Sequence, residues 1–393
     1  MTSVARTMTA AAAICALGAG AALAQDMPFD VADGLFEFED TDTLGLEPAE
    51  GAETITVFEP GDEDWKFNHG SVLIGFGDEL YMQWQSSEMD EDATETVVVY
   101  SRSADGETWS EPVQLTAPWN EGYTSNGGWW TDGETLVAYL NVWPDAVSPR
   151  GGHVEYMTST DGRTWSKPQP VTMADGTPLE GIFEQDPTAL ESGRIVNSAH
   201  LQPGLTAKPI FTDDPLGVSG WTVGEMENLP HEGDITRELE PSWFVQEDGD
   251  VVMIFRDQGN TFLKLASLSS DEGETWSLPV ETEMPDSRTK QSAGNLPDGT
   301  AYMAGNPTGT KARMPLAVVT SADGELFDEA YLLRSASDMQ DLRYEGQYKR
   351  PSYSYTKSYV WNDDLYVAYA TNKEDVQFTR VPLDTIARGA DAD

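Results

Sequence analysis

Short runs of alternating or wholly apolar residues, cut by Gly, Asp and Pro, follow one another from about residue 54 to 385. Such runs predict strands. They fall into six groups. The first holds His69–Phe76, a Gly77-Asp78 turn, Glu79–Gln85, Thr96–Ser101 and Val113–Leu115. The second has Trp129-Trp130, Leu136–Asn141 and His153–Ser159, and the third Thr188–Glu191, Arg194–His200 and Pro209–Thr212. Trp243–Gln246, Val251–Arg256 and Leu263–Leu268 make the fourth. Gln291–Asn295, Ala301–Asn306 and Leu316–Thr320 make the fifth, and Ser352–Val360, Leu365–Thr371 and Val376–Val381 the sixth. One more strand is expected around Thr54–Phe58.

A motif punctuates these groups. Ser103-Ala-Asp105-Gly-Glu-Thr108-Trp109 returns as Ser159-Thr-Asp161-Gly-Arg-Thr164-Trp165 and as Ser269-Ser-Asp271-Glu-Gly273-Glu-Thr275-Trp276. A weaker copy is Ser321-Ala-Asp323-Gly-Glu-Leu-Phe327. The closing aromatics are 56, 111 and 51 residues apart, and the double gap predicts a further copy at Trp221, in Asp213-Asp-Pro-Leu-Gly217-Val-Ser-Gly-Trp221. Ser and Asp side chains bond nearby backbone N–H groups, Gly permits positive φ, and Trp packs beneath. The motif is therefore a turn between two strands of a small sheet, and its acids are structural. A fixed period of this size means an array of units too small to bury their apolar faces alone. Six four-stranded units arranged radially form an all-β, six-bladed β-propeller over residues 54–386.

The ends read differently. Arg6, the small and apolar run Ala10–Ala22 and the Ala22-Leu23-Ala24 site predict a signal peptide over residues 1–24 and a periplasmic or secreted protein. The single cysteine, Cys15, lies inside it, so neither disulfide nor thiol chemistry is expected afterwards. Residues 25–53 read as an acidic leader lying loosely on the first unit, and 387–393 as a frayed tail. With 23 basic and 68 acidic residues, the net charge of −45 argues against nucleic acid and anionic membranes as partners. No later run is long and apolar enough to span a membrane. No His/Cys ligand cluster is present, and no metal or cofactor is expected.

The motif turns, their spacing and the six units resemble the sialidase (BNR, or Asp-box, repeat) superfamily of β-propellers over about residues 54 to 385. That resemblance implies a carbohydrate-active protein with its site around the central channel. In each blade the innermost strand starts, the second ends and the third begins on one face; the motif turns lie on the other. The candidate residues on the site face are His69, Gln85, Asn126, Asn141, Arg150, Glu184, Asp186, His200, Lys208, Glu240, Arg256 and Asp257 from blades one to four. Blades five and six add Arg288, Lys290, Asn306, Arg313, Lys349, Arg350, Tyr353, Tyr355 and Lys373. Cations are scarce elsewhere, so this clustering points to an anionic sugar held by its carboxylate. The alternative is that each cation pairs with a structural acid.

A sialidase, as the resemblance implies, uses three arginines, a Tyr nucleophile activated by Glu, and an Asp acid. This chain has no arginine between Arg6 and Arg102, where one is expected before the first inner strand. Arg256, Arg313 and Arg350 would give a partial set, with Tyr353 or Tyr355 as nucleophile and Glu240 beside it. A polysaccharide lyase acting by β-elimination at a uronic acid needs a cation on the carboxylate, a base and an acid, roles suited to His and Tyr. His69, His200 and Tyr353 are its catalytic candidates, with Asn126, Arg150, Glu240, Arg256, Lys290, Arg313, Lys349 and Arg350 binding substrate. The expected partner is an acidic oligosaccharide or polysaccharide. A lyase is favoured, ahead of a sialidase-like hydrolase and of a non-catalytic glycan binder with Trp129 and Trp130 as platforms at the mouth.

Overall fold

A computed structural model describes residues 27–387. The signal peptide expected over 1–24, its cleavage at Gln25 and all but the first residue of the 387–393 tail lie outside the described residues. No described helix is long and apolar enough to cross a membrane.

Six antiparallel sheets surround a central channel, and in the first five the strands run in chain order from the inside outward. Blade one is Phe67–Phe76, Glu79–Ser87, Val97–Ser103 and Val113–Gln114. Blade two is Gly122–Thr131, Leu136–Pro144, His153–Ser159 and Gln169–Pro170. In blade three two short segments, Gly181–Phe183 and Thr188–Ala189, share the inner edge of Ile195–Leu201, followed by Thr206–Thr212 and Thr222–Val223. Blade four is Glu238–Val245, Val251–Asp257, Leu263–Ser269 and Val280–Pro285. Blade five is Ser292–Asn295, Ala301–Gly305, Leu316–Ser321 and Glu329–Arg334. Blade six is Tyr353–Trp361, Asp364–Thr371 and Asp375–Pro382, and its outermost strand is Glu53–Phe58 from the start of the propeller, with Thr54 opposite Thr379. That pairing closes the ring with the strand expected around Thr54–Phe58.

The motif turns lie between third and fourth strands. In the first, Ser103 Oγ donates to Asp105 (2.9 Å) and accepts the Gly106 N–H (2.8 Å), while the N–H groups of Glu107 and Thr108 donate to Asp105 (2.9 and 2.7 Å). Those bonds, that from Thr108 foremost, hold the Asp105 carboxyl down at about 2. Trp221 occupies the equivalent turn of blade three, fully buried, with its indole N–H on the Gly217 carbonyl at 3.0 Å.

Each motif aromatic seals the seam with the preceding blade. Trp109 meets Phe378 of blade six, Trp165 meets Tyr100 of blade one, and Trp221 packs in one cluster with Val137 and Tyr139 of blade two. Trp276 packs with Val196 and Phe211 of blade three. Phe327 meets Phe244 of blade four, their centroids 5.3 Å apart. The motif glycines sit at the same seams with positive φ: 74° at Gly106, 63° at Gly162, 65° at Gly217, 87° at Gly273 and 81° at Gly324.

The leader is not loose and does not lie on blade one. Asp30–Val31 pairs in parallel with Leu326–Phe327, and Phe29, Phe36, Leu44 and Leu46 are buried in the cluster shared by blades four and five. Phe327 is smaller than the Trp of the other turns, and Phe29 packs edge-on against it at 5.3 Å. Apolar residues spaced through an acidic segment thus complete the one seam whose motif lacks an indole.

A Cβ on Gly162 would lie 2.1 Å from the Tyr81 hydroxyl, whereas one on Gly133, also at positive φ, would meet nothing within 4 Å. Gly162→Ala should therefore lose about 2–4 kcal/mol, from the left-handed backbone plus overpacking, and Gly133→Ala only about 1 kcal/mol. Urea midpoints of the two variants check this, and equal losses would mean that the seam is not tight.

Candidate functional site

The innermost strands lose regular register near the site face. Bulges fall between His69 and Val72, Asn126 and Gly128, Leu239 and Ser242, and Ser354 and Lys357. A bulge inserts a residue and re-aims its side chain. In blade three the inner strand breaks completely, so that Glu184, Gln185 and Asp186 sit in the gap, and Pro187, which has no N–H to give a ladder, follows. Several residues here hold positive φ without being glycine: Glu240 (50°), Arg288 (54°), Tyr348 (61°), Tyr355 (56°) and Lys373 (59°). Strain of this kind persists only where the surroundings enforce it.

These distortions open a cavity of about 440 Å³ at the mouth of the channel. Tyr355, from blade six, is its centre. The His69 ring lies against it at 4.2 Å and 53°. The Lys290 ammonium stands 5.1 Å and the Arg313 guanidinium 5.6 Å from its ring centroid. Burial, and then the Glu240 charge, push the Tyr355 hydroxyl well above its ordinary range, so it keeps its proton. His69 is 2% exposed, and neither ring nitrogen has a partner. Burial, reinforced by Lys373, Arg313 and Lys290, holds it well below the ordinary imidazole value, so it is neutral.

Two acids face this pair, Glu240 buried and Glu184 partly buried. Glu240 accepts from Arg256 at 2.9 Å, and Glu184 from Lys290 at 2.5 Å. Burial would raise both carboxyls, but the adjacent cations, with Tyr355 bonding Glu240, hold them below the ordinary range. His200 lies behind: its Nε2 accepts the Glu240 N–H at 3.3 Å, so the proton is on Nδ1, 3.5 Å from Glu184.

The guanidinium groups are not all neutralised. Buried Nε atoms of Arg256, Arg288 and Arg313 have no acceptor. Arg313 bonds only Ser354 Oγ (3.4 Å) and the Arg288 carbonyl (2.9 Å), and the Arg350 side chain has no partner among the described residues. Burial first, and then neighbouring guanidiniums, pull Arg288, Arg313 and Arg350 below the ordinary arginine value. Like charges packed this way, with unpartnered N–H groups, are chemically suited to a carboxylate. At the rim Tyr123 and Trp143 stack at 5.8 Å, and Arg150 lies 4.6 Å over Trp143 while bonding Asp92 at 2.9 Å.

The family model of the BNR repeat-like domain matches residues 78–367, most of the propeller. The chain belongs to the BNR repeat-like family. Among curated proteins, none matches it in sequence. Solved structures similar to this BNR repeat-like protein include one of unknown function from Dyadobacter fermentans, 14% identical, with 84% of this chain and 99% of that one covered and a TM-score of 0.64. A sialidase is 19% identical with a TM-score of 0.63, covering 90% of this chain but 35% of the other. A Hadza microbial sialidase is 16% identical, covering 85% and 69%, with a TM-score of 0.65. At such identities the likeness establishes the propeller fold.

Of the residues expected at the site, the cavity brings together His69, Asn126, Arg150, Glu240, Arg256 and Lys290, with Arg313 and Arg350 beside them. Asn126 Nδ2 donates to the Gly70 carbonyl at 2.5 Å. His200 supports the two acids instead of lining the cavity. Tyr353 is not there: its hydroxyl donates to the Ser335 carbonyl at 3.2 Å and its ring packs on Tyr369 in the core between blades five and six. Lys349 is drawn away by the Lys66 carbonyl (2.7 Å) and Glu374 (3.6 Å). Trp129 is buried, its indole on the Val72 carbonyl at 3.1 Å, and Trp130 bonds the Pro215 carbonyl at 2.9 Å, so neither is a platform at this mouth. Tyr123 and Trp143 line the cavity instead, buried and stacked on each other beside Arg150. The second blade's inner pair runs further toward the site face than its apolar pattern suggested, which is why both were missed. Glu91, Asp92 and Tyr348 come from site-face loops, and Lys357 from beyond a bulge.

Lys290→Met should cost about 3 kcal/mol at neutral pH, because Glu184 is left charged and partly buried. Glu184's depressed folded value means that the pair's contribution is complete above the ordinary glutamate value of 4.5 and is lost as pH falls through the lower folded value. In the variant Glu184 takes up a proton early, so the penalty should shrink towards roughly pH 3. Urea midpoints at both pH values test this; a penalty independent of pH would show that Lys290 acts by packing alone.

Proposed function

We propose that this protein processes an acidic glycan, holding a carboxylate-bearing sugar, best a uronic acid, and cleaving it by β-elimination. One observation carries the reading: a neutral histidine with two free nitrogens lies on a protonated tyrosine, beside a set of guanidiniums with unused donors. The likeness to proteins named sialidases supports glycan processing in general terms.

The chemistry follows from the protonation states. Guanidinium N–H groups of Arg256, Arg288 and Arg313, with Arg350, take the sugar carboxylate and draw off charge, which acidifies the C5–H. His69 accepts that proton. The electron pair forms the C4=C5 bond, the C4–O bond breaks, and Tyr355 gives its proton to the departing oxygen. Solvent then returns a proton to Tyr355 and removes one from His69, so the cycle balances without an oxidant or reductant.

A second reading has its own observation: Tyr355 bonds Glu240, which Arg256 keeps ionised. A tyrosine whose proton passes to a carboxylate can act as a nucleophile in a retaining hydrolysis. The raised Tyr355 value opposes this and favours the elimination.

The two readings separate in one assay. Uronate polysaccharides and sialosides are incubated with the protein while absorbance at about 235 nm, the mark of an unsaturated uronate, and reducing ends are followed. Elimination predicts absorbance growing with reducing ends, a fall of about a hundredfold in kcat for His69→Ala, and only about a few-fold for Glu240→Gln. Reducing ends without absorbance, with Glu240→Gln the more damaging change, would establish hydrolysis. Binding without turnover would leave a glycan-binding propeller.

A further inference from the structure

A lysine two residues on from Tyr355 also lines the cavity. Lys357 follows the bulge in the inner strand of blade six and lines the cavity with a side chain only 5% exposed. Its ammonium has one partner, Asp186 Oδ2 at 3.4 Å. An ammonium carries three protons, so two donors are left unused in a nearly dry setting. Neutralising Asp186 does not account for them: Asp186 already accepts the Trp129 N–H at 2.7 Å, and its contact with Lys357 is long. Bare charged donors are costly to bury. The other cations of the cavity wall are committed differently, Arg256 to Glu240, Lys290 to Glu184 and Arg150 to Asp92.

We propose that Lys357 is a specificity-determining residue whose two free ammonium protons bind neighbouring ring hydroxyl oxygens of the sugar held in the cavity. The inference rests on the reading of the cavity as an acidic-sugar site, but not on which bond is cleaved. The guanidiniums recognise the carboxylate, which many small acids possess. Lys357, whose charged neighbours are Asp186, Lys290 and Glu184 and not the guanidiniums, recognises the hydroxylated face of a pyranose. The ligand class is therefore a polyhydroxylated cyclic acid, distinguished from a plain carboxylic acid.

Only the protonated lysine offers both donors. Burial, against the pull of Asp186, brings Lys357 down to about 8; Lys290 acts in the same sense and Glu184 against it. Sugar affinity should accordingly weaken as pH rises past about 8, where the arginines still hold their charge.

The test is calorimetric titration of the full chain with D-glucuronate and with cyclohexanecarboxylate, which has the carboxylate but no hydroxyls. Lys357→Met should weaken glucuronate by about tenfold or more and leave cyclohexanecarboxylate unchanged, as expected for hydrogen bonds from a charged donor. Arg313→Ala should weaken both acids. Lys357→Gln, which keeps donors without charge, guards against a packing defect: it should recover part of the glucuronate affinity and lose the alkaline limb. Equal weakening of both acids by Lys357→Met, or no weakening of glucuronate, overturns the proposal. Loss of cyclohexanecarboxylate binding alone in the wild type would instead count against the guanidinium carboxylate site. A wild-type protein that does not bind glucuronate overturns both.

Discussion

The ring holds together because each of blades one to five offers a glycine and an aromatic to the blade before it, and units this small cannot bury their apolar faces alone. The fit is tight. The Tyr139 hydroxyl donates to the Gly217 carbonyl at 2.8 Å, and Gln246 to the Gly324 carbonyl at 2.9 Å, so the turn's backbone is read directly by its neighbour. Only a residue without Cβ, at positive φ, leaves room for such an approach. The Ser and Asp of the motif do not face the substrate side; they hold the turn so that glycine and indole arrive together. Where the indole is missing, at Phe327, the leader supplies Phe29 and closes the gap.

A rigid ring makes the site possible. Its parts come from all six blades, so no two neighbours in sequence position one another. Closure sets their spacing, and local distortion sets their aim. The bulges and the broken strand of blade three lie toward the same end of the channel, the end away from the motif turns. Ladder hydrogen bonds are given up there, and positive φ is tolerated at Glu240 and Tyr355 because ion pairs and the His200 bond to the Glu240 N–H hold the backbone. The seams can be uniform because the irregularity is confined to this end.

This division explains what could be read in the chain. The motif and the strand groups recur, so the motif's spacing disclosed the hidden copy at Trp221 and the face to search, and the strand groups gave the six blades. The distortions do not recur, and they decide which side chain enters the cavity. Tyr353 and Tyr355 are two apart and would share a face in a regular strand. The positive φ at Tyr355, within the bulge before Lys357, separates them, sending one ring into the core and the other into the channel. Lys349 and Arg350 part for another reason. Glu374 is buried and accepts the backbone N–H groups of Arg343 (3.2 Å) and Tyr344 (2.9 Å), which fixes their loop and draws Lys349 down to it. Arg350 is left near Arg313, Arg256 and Tyr355. The leader misled because its acidity masked four well-spaced apolar side chains.

Charge adds a final constraint. A chain of net −45 gathers its scarce cations at the channel mouth, yet pairs most of them there with acids. At physiological ionic strength fields are screened over about 8 Å, so the mouth draws an anion only at close range, while the surrounding surface repels it. A protein built to attract polyanions from a distance would spread cations over its surface. On the acidic-glycan reading proposed above, recognition would begin only when a carboxylate comes close to Arg256, Arg288 and Arg313, whose Nε atoms have no acceptor, in a cavity of about 440 Å³, within the size range of small-molecule sites. The pairing with Glu184 and Glu240 holds Lys290 and Arg256 in place, and among the described residues Arg288, Arg313 and Arg350 have no carboxylate partner. If the ligand is the acidic sugar proposed above, its selection rests on short-range geometry, because the long-range field of this arrangement of charge works against it.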